Sequence, residues 1–196
     1  MDITTLPPAE CEKLTELSVM EFKEKTVENI LKLSNLERLT VTLSPLQELK
    51  GLGRLKKLRK ISFTLLRKLE DLSELGELPM LEELALDACN KIGLNTFQRM
   101  GTLKTLSLND MPKLETIKFL SKMPNLENLR IWGSSKILDG DLAILGDLKN
   151  LKELKIAMRK NYTKLPDSKD VVKALERSKR TSEVLWKKYW KEHPNK

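Results

Sequence analysis

The residue types that most often carry catalysis are few and scattered in this 196-residue sequence. His193 is the single histidine, and Cys11 and Cys89 are the two cysteines. A zinc site needs three or four ligands held close together, and a nucleophilic Ser or Cys needs a base beside it. Because the chain has no second histidine and its cysteines lie far apart, the sequence predicts no catalytic site, no metal and no cofactor. The chain is expected not to be an enzyme.

One basic segment, "GLGRLKK" at residues 51–57, superficially suggests phosphate binding. It lacks the preceding strand, the glycine spacing and the final Ser or Thr of a phosphate-binding loop. We therefore do not interpret it as a nucleotide site.

Apolar residues recur in one frame, L-x-x-(L/I)-x-(L/I/V/F), seven times along the chain. A fixed period of 22 to 25 residues is typical of a solenoid. Each frame predicts a short strand whose alternate side chains point inward. One unit cannot bury its own leucines, so neighbouring units must stack around a shared core. The frames begin at Leu14, Leu36, Leu58, Leu81, Leu103, Leu126 and Leu151.

This pattern resembles the leucine-rich repeat family over residues 14–166, which we interpret as seven repeats. The resemblance implies an α/β fold, a leucine-rich repeat solenoid with a curved parallel β-sheet on its concave face. Phrases such as "LNDMPKLETI" resemble the irregular repeats of plant intracellular immune receptors, and the spacing is similar to that of phosphatase-regulating members. Strands are expected to begin near residues 16, 38, 60, 83, 105, 128 and 153.

The turn after each strand departs from the family pattern. The family usually carries Asn or Cys eight residues after the first leucine, where a buried ladder of side chains satisfies backbone amides. Cys89 alone fits this pattern, so the sequence predicts a weak or absent ladder and irregular turns. The other six positions hold Phe22, Ser44, Leu66, Met111, Ser134 and Arg159.

Binding is expected on the outward residues of the sheet, which occupy the third, fifth and seventh positions of each unit. The fifth-position column is small for five units and then carries Arg130 and Lys155. Trp132 is close to Arg130, and tryptophan with arginine is typical of binding hot spots. Alternatively, Trp132 folds over Gly133 and only covers the sheet. The predicted partner-binding residues are Arg38, Lys60, Asp87, Asn109, Arg130, Trp132 and Lys155.

The two ends of the repeat array must be covered. Residues 1–13 are interpreted as an N-terminal edge or partial repeat, with two alternatives open. Either Ile3 and Leu6 form a minimal cap, or the chain was cut from a longer protein.

Residues 167–196 are interpreted as a basic helical C-terminal cap. A first helix is expected after an N-cap at Asp167 or Ser168, and a second after an N-cap at Thr181 or Ser182. Aromatic side chains of the second helix are expected to seal the last repeat, namely Trp186, Tyr189 and Trp190.

Positive charge is concentrated at the same end. The chain carries a net charge of +8, and residues 159–196 contain 12 Lys or Arg against 5 Asp or Glu. Such a segment can attract nucleic acid or an anionic surface. A capping helix with a solvated outer face is the commoner arrangement, so nucleic acid is the disfavoured partner.

No apolar run approaches the roughly 20 residues of a membrane helix, and the segment "MDITTLPPAE" lacks the pattern of a signal peptide. With too few cysteines for disulfide-bonded caps, the sequence predicts a cytoplasmic protein. The predicted function is a non-enzymatic protein–protein interaction module that binds a protein partner through its concave face, as a monomer or within a larger chain or complex. Two alternatives remain: a binder of nucleic acid or an anionic surface through the basic C-terminal helix, and a regulatory subunit of an enzyme.

Overall fold

The computed structural model describes residues 5–111 and 113–192, with side chains described as far as residue 181. Seven parallel strands form one sheet whose spatial order follows the chain. Each strand begins at the residue that the repeat frame predicted, so both the parallel pairing and the strand starts are confirmed. The strands are β1 (Glu16–Met20), β2 (Arg38–Thr42), β3 (Lys60–Thr64), β4 (Glu83–Asp87), β5 (Thr105–Asn109), β6 (Asn128–Trp132) and β7 (Glu153–Ile156).

Alternation along each strand separates a core face from an outward face. In β2, Leu39 and Val41 are fully buried, whereas Thr40 between them points outward and is half-buried. Leu39 lies opposite Leu17 on one side and Ile61 on the other. Each frame position therefore stacks on its own counterpart, because every unit repeats the same in-and-out order.

Between strands the chain returns along the opposite side of the solenoid in short 3-10 helices. The arm from β2 to β3 buries Leu46, Leu49 and Leu52 at three-residue spacing, and of these Leu52 lies in the 3-10 helix. Leucines of all the arms join the strands in one continuous core. The 3-10 helices are Ile30–Lys32, Leu52–Arg54, Ser73–Glu77, Leu94–Thr96, Lys118–Lys122 and Ala143–Asp147.

The residue after each of the first six strands has a left-handed backbone. In most units the N–H of this residue donates to the carbonyl oxygen of the last residue of the next strand. For example, the Leu65 N–H donates to the Asp87 carbonyl oxygen at 2.9 Å. One of the six is a glycine, Gly133, so the other five adopt a conformation that a Cβ disfavours. Those five are Glu21, Leu43, Leu65, Ala88 and Asp110.

Buried polar side chains at the turns are more numerous than the sequence predicted. Ser44 is buried, and its hydroxyl donates to the Phe22 carbonyl oxygen at 2.7 Å. The Ser44 hydroxyl oxygen also accepts the Leu46 N–H at 3.2 Å. Cys89, fully buried, lies 3.5 Å from the Phe63 carbonyl oxygen. The prediction that Cys89 alone fits this role is wrong, since the Ser44 hydroxyl also bonds backbone groups at its turn.

A second serine shows that the predicted position was also off by one residue in the sixth unit. Ser134 is exposed, whereas Ser135 is fully buried. The Ser135 hydroxyl donates to the Leu108 carbonyl oxygen at 2.9 Å and accepts the Met111 N–H at 3.0 Å. The polar turn side chains therefore recur in alternate units, with Leu66 and Met111 buried between them.

Helix α1 (Pro8–Cys11) precedes the sheet, where Cys11 is buried and Leu6 packs against the core. Ile3, which the sequence analysis placed in a minimal cap, lies outside the described residues.

Helix α2 (Lys169–Glu192) covers the end of the sheet at β7. The Ser168 hydroxyl accepts the Val171 N–H at 3.5 Å, which confirms the predicted N-cap. Leu175 is buried in the interface, and the buried Ser178 hydroxyl accepts the Ile156 N–H of β7 at 2.8 Å. The helix thus supplies an acceptor for a strand N–H that has no further strand beside it.

The predicted second helix is wrong, because α2 runs without a break through Thr181. The Thr181 hydroxyl donates to the Arg177 carbonyl oxygen at 3.0 Å, a bond made within a helix rather than at its N-cap. The side chains of Trp186, Tyr189 and Trp190 lie outside the described residues, so their sealing role stays a prediction. Within the described chain, no helix is long and apolar enough to cross a membrane.

Candidate functional site

The sheet register brings the outward residues of the seven units into straight columns. Ser107, at the fifth position of its unit, lies opposite Arg130, and Arg130 lies opposite Lys155. The preceding members of this column are small: Ser18, Thr40, Ser62 and Ala85. A nearly level floor of small side chains therefore ends at two adjacent cations.

Two predicted binding residues lie at the other end of the face and are already paired. Arg38 forms an ion pair with Glu16 at 3.3 Å between Nη1 and Oε1. Lys60 forms one with Glu83 at 2.6 Å between Nζ and Oε1. Each pair joins neighbouring strands in register, so the structure gives these cations partners within the sheet.

The seventh-position column brings together three further predicted residues. Asp87 lies opposite Asn109, and Asn109 lies opposite Trp132, all half-buried. The Oδ1 atom of Asn109 is buried and has no hydrogen-bond partner among the described residues. The column thus places an unsatisfied acceptor beside the tryptophan. In the last unit the prediction of an outward residue fails, because Ala157 is buried just beyond the end of β7.

Arg130, Trp132 and Lys155 surround a cavity of about 410 Å³ between the last two strands and α2. Leu154, Ala174 and Arg177 complete its apolar and basic wall. Cavities of a few hundred Å³ with apolar walls and a few polar groups are typical ligand sites. Three of the seven predicted residues therefore share one concave site, and the remaining four lie elsewhere on the sheet face.

Charges around this cavity are partly neutralised. Lys155 donates to Glu153 at 2.6 Å, and this hydrogen bond lowers the pKa of the Glu153 carboxyl, with the nearby charge of Arg130 adding to the effect. Lys152, at the cavity edge, is paired with Glu127 at 2.8 Å. Within the described side chains, Arg130 and Arg177 form no ion pair.

Comparisons with known proteins identify the architecture. No protein-family model matches the sequence, and no curated protein matches it. An internalin (inlF) of Listeria monocytogenes has a similar solved structure, with a TM-score of 0.56 and 25% identity over 74% of this chain and 42% of that one. Internalin C2 of the same organism also has a similar solved structure. Its TM-score is 0.55 and its sequence identity 20%, over 86% of this chain and 80% of that one. This chain thus spans less than half the length of the first internalin.

The repeat frame, the in-register parallel sheet and the internalin neighbours agree. This chain folds as a leucine-rich repeat solenoid.

The sequence analysis missed the part of the leucine-rich repeat cavity that α2 supplies. Arg177 and Ala174 reach the sheet because Leu175 and Ser178 anchor the helix on β7. The basic composition of this segment indicated cations. Nothing in its order of residues indicated which of them faces Trp132.

It also missed a ladder of alternating charge along the second position of the repeats. Glu82 lies between two cations, 3.0 Å from Arg59 and 2.8 Å from Lys104. The hydrogen bond from Lys104 is the main cause that lowers the pKa of the Glu82 carboxyl, and the same bond raises the pKa of Lys104. The strict alternation of sign could have been found in the sequence: Glu37, Arg59, Glu82, Lys104, Glu127 and Lys152.

The described residues contain no group of three His, Cys, Asp or Glu side chains that could hold a metal ion. Cys11 and Cys89 are both free and buried. Burial raises the pKa of the Cys89 thiol, which keeps it protonated. His193 lies outside the described residues.

Proposed function

We propose that this leucine-rich repeat protein is a non-enzymatic interaction module that binds a protein partner through its concave sheet face, centred on Trp132. The observation that carries the proposal is the half-buried Trp132 beside exposed Arg130, at the end of a floor of small side chains. Tryptophan and arginine are the residue types most enriched among binding hot spots.

The shape of the face also supports a protein partner. Seven strands about 4.8 Å apart form a surface roughly 29 Å long. Small side chains such as Ser62 and Ala85 keep its centre low, so a partner can approach the sheet closely. An enzyme that takes this chain as a regulatory subunit is one class of such partner.

Partner capture with matched variants tests this proposal. Wild-type protein, Trp132→Ala and Met80→Ala are immobilised and exposed to a native lysate, and retained proteins are identified by mass spectrometry. Met80 is the control because it is 42% exposed and lies outside the sheet. A concave-face partner is retained by wild type and Met80→Ala and lost by Trp132→Ala.

The affinity of the purified partner for each variant then measures how much binding free energy Trp132 contributes. Trp132→Ala is expected to weaken binding by about 2 kcal/mol or more, as for a central aromatic anchor, with little change in melting temperature. A large loss of stability with unchanged affinity would assign Trp132 a purely structural role.

Two broader assignments belong to this proposal. A cytoplasmic location suits two buried free thiols, which a reducing compartment maintains. The chain is proposed to act as a monomer or as part of a larger chain or complex.

A second candidate is binding of nucleic acid or an anionic surface through α2. It is favoured by Lys169, Lys179 and Arg180, which are exposed on that helix. This candidate predicts that the protein binds RNA or acidic vesicles, and that this binding weakens steeply as salt rises. The binding should persist in Trp132→Ala.

A further inference from the structure

The cavity between β6, β7 and α2 is lined by two arginines that form no ion pair within the described side chains. Its lysines are neutralised, Lys152 by Glu127 and Lys155 by Glu153. Arg130 and Arg177 line the same cavity, both are exposed, and neither forms an ion pair within the described side chains. The site therefore has an excess of positive charge carried by two guanidinium groups.

The rest of the cavity wall is largely apolar. Trp132 provides an aromatic side chain, and Leu154 of β7 and Ala174 of α2 provide aliphatic surface. A volume of about 410 Å³ accepts a large side chain together with part of its backbone. The occupant must therefore combine an apolar body with negative charge.

Guanidinium groups bind both carboxylates and phosphates in bidentate geometry, so the surroundings decide between the two. Asp87 and Asp110 lie along the strand ends that lead to Trp132, and Glu153 lies in the cavity wall. A polyphosphate chain following the sheet would meet these carboxylates. A short acidic segment of a protein places its charge at the arginines alone.

We infer that this cavity binds an acidic peptide segment of the partner, in which a large apolar side chain lies beside a carboxylate, with the apolar group against Trp132 and the carboxylate between Arg130 and Arg177. This inference rests on the proposed function, since it names the chemistry of the partner at the same face.

A titration with designed peptides tests the inference on the full chain. The probe is a fluorescein-labelled, N-acetylated peptide in which Phe is flanked by two Glu residues. The comparison peptide carries Gln at both Glu positions. Fluorescence anisotropy is expected to show at least tenfold tighter binding of the Glu peptide, and weaker binding as salt rises. Equal affinity for the two peptides would overturn the inference.

Two variants assign the charge to the cavity. Arg177→Gln is expected to reduce affinity for the Glu peptide about tenfold. Lys179→Gln, which removes a cation from an exposed position of the same helix, is expected to leave it unchanged. Because both side chains are exposed, circular dichroism should show both variants folded. Equal effects of the two substitutions would show non-specific charge attraction and overturn the site.

Competition separates this result from the other outcomes. If short RNA or inorganic phosphate displaces the Glu peptide more effectively than excess unlabelled peptide does, the cavity is a phosphate site and the inference fails. If Trp132-dependent partner capture succeeds and the Glu peptide does not compete with that partner, the inference fails while the proposed function stands. If no partner depends on Trp132, the proposed function itself fails.

Discussion

Ser44 and Ser135 occupy positions where the chain turns from a strand into the core-facing return arm. Each hydroxyl donates to a carbonyl oxygen of the preceding unit and also accepts a backbone N–H. Buried backbone groups without partners are costly, because they lose water and gain nothing in return. One small side chain at each of these turns thus satisfies two backbone groups that leucine could not.

Ser135→Ala tests this role against a matched neighbour. The substitution leaves the Leu108 carbonyl oxygen and the Met111 N–H without their buried partner, so the free energy of unfolding is expected to fall by about 1–3 kcal/mol. Ser134→Ala is the control, since that side chain is exposed. Urea denaturation of both variants measures the difference. Equal losses would mean that water replaces the hydroxyl at the turn.

Each of the first six strands is followed by one residue with a left-handed backbone. After β6 this residue is glycine, unlike the others. Gly133 has φ of +65°, and a Cβ placed there would overlap the Asp110 carboxylate. That carboxylate accepts the Ser134 N–H at 2.7 Å. Because five other residues with a Cβ adopt this backbone at the equivalent position, the close Asp110 carboxylate is what favours glycine here.

Gly133→Ala is expected to destabilise the protein by at least about 1–2 kcal/mol, the cost of a left-handed residue with a Cβ. Gly101→Ala is the matched control, because the nearest atom to its added Cβ is 3.8 Å away and its backbone has no positive φ. Chemical denaturation should show little change for the control, or a small gain. If both variants unfold alike, the Asp110 contact does not constrain the turn.

The terminal element, α2, is predicted to seal the repeat array rather than to extend from it. Deleting residues 168–196 uncovers Leu154 and Ile156 and removes the Ser178 acceptor of the Ile156 N–H. Each large buried side chain contributes roughly 1.5–3 kcal/mol, against a typical total stability of 5–15 kcal/mol. The truncated protein is expected to aggregate or to melt at a much lower temperature in calorimetry.

Leu175→Ala is a milder test of the same packing. It is expected to lower the free energy of unfolding by about 2–5 kcal/mol, because Leu175 is 3% exposed. Lys179→Ala, on the exposed side of α2, should cost almost nothing. A stable truncation that loses tight, salt-sensitive RNA binding would instead identify α2 as a nucleic-acid-binding helix.

For the whole molecule, the alternating charge ladder joins successive units along one edge of the sheet. Arg59, Glu82 and Lys104 belong to three consecutive repeats, and Glu127 and Lys152 to the next two. Exposed ion pairs contribute little individually. Their alternation places a charge of opposite sign in each neighbouring unit.

The charge ladder makes the free energy of unfolding depend on pH. The pKa of the Glu82 carboxyl is lowered in the folded state, so the unfolded chain binds that proton first and stability rises with pH. The contribution is complete above the ordinary carboxyl pKa of 4.5 and is lost as pH falls through the lowered folded value.

Glu82→Gln should therefore flatten the decline of melting temperature below about pH 4.5. Glu48→Gln is the control, because Glu48 forms no ion pair among the described residues. Melting curves from pH 3 to 7 make the comparison. Parallel curves for wild type and Glu82→Gln would show that the pairing does not contribute.

The arrangement of the repeats could be predicted from the sequence to the residue. Leu84 and Leu86 had to lie inward and Ala85 outward, because a strand alternates its side chains and one unit repeats the next. The same period placed Arg130 beside Lys155. Their role as a binding surface is still a proposal.

What only the tertiary structure decided concerns residues where the period breaks or where distant segments meet. In the sixth unit the buried serine is Ser135 rather than Ser134, although the left-handed residue Gly133 follows its strand as in the other units. Continuation of α2 through Thr181 and its contact with β7 bring Arg177 to the cavity beside Trp132. Periodic patterns encode which face of an element is buried, because that depends on neighbours a few residues away. Which cation of a capping helix reaches which strand depends on packing between segments far apart in the sequence, and no local pattern records it.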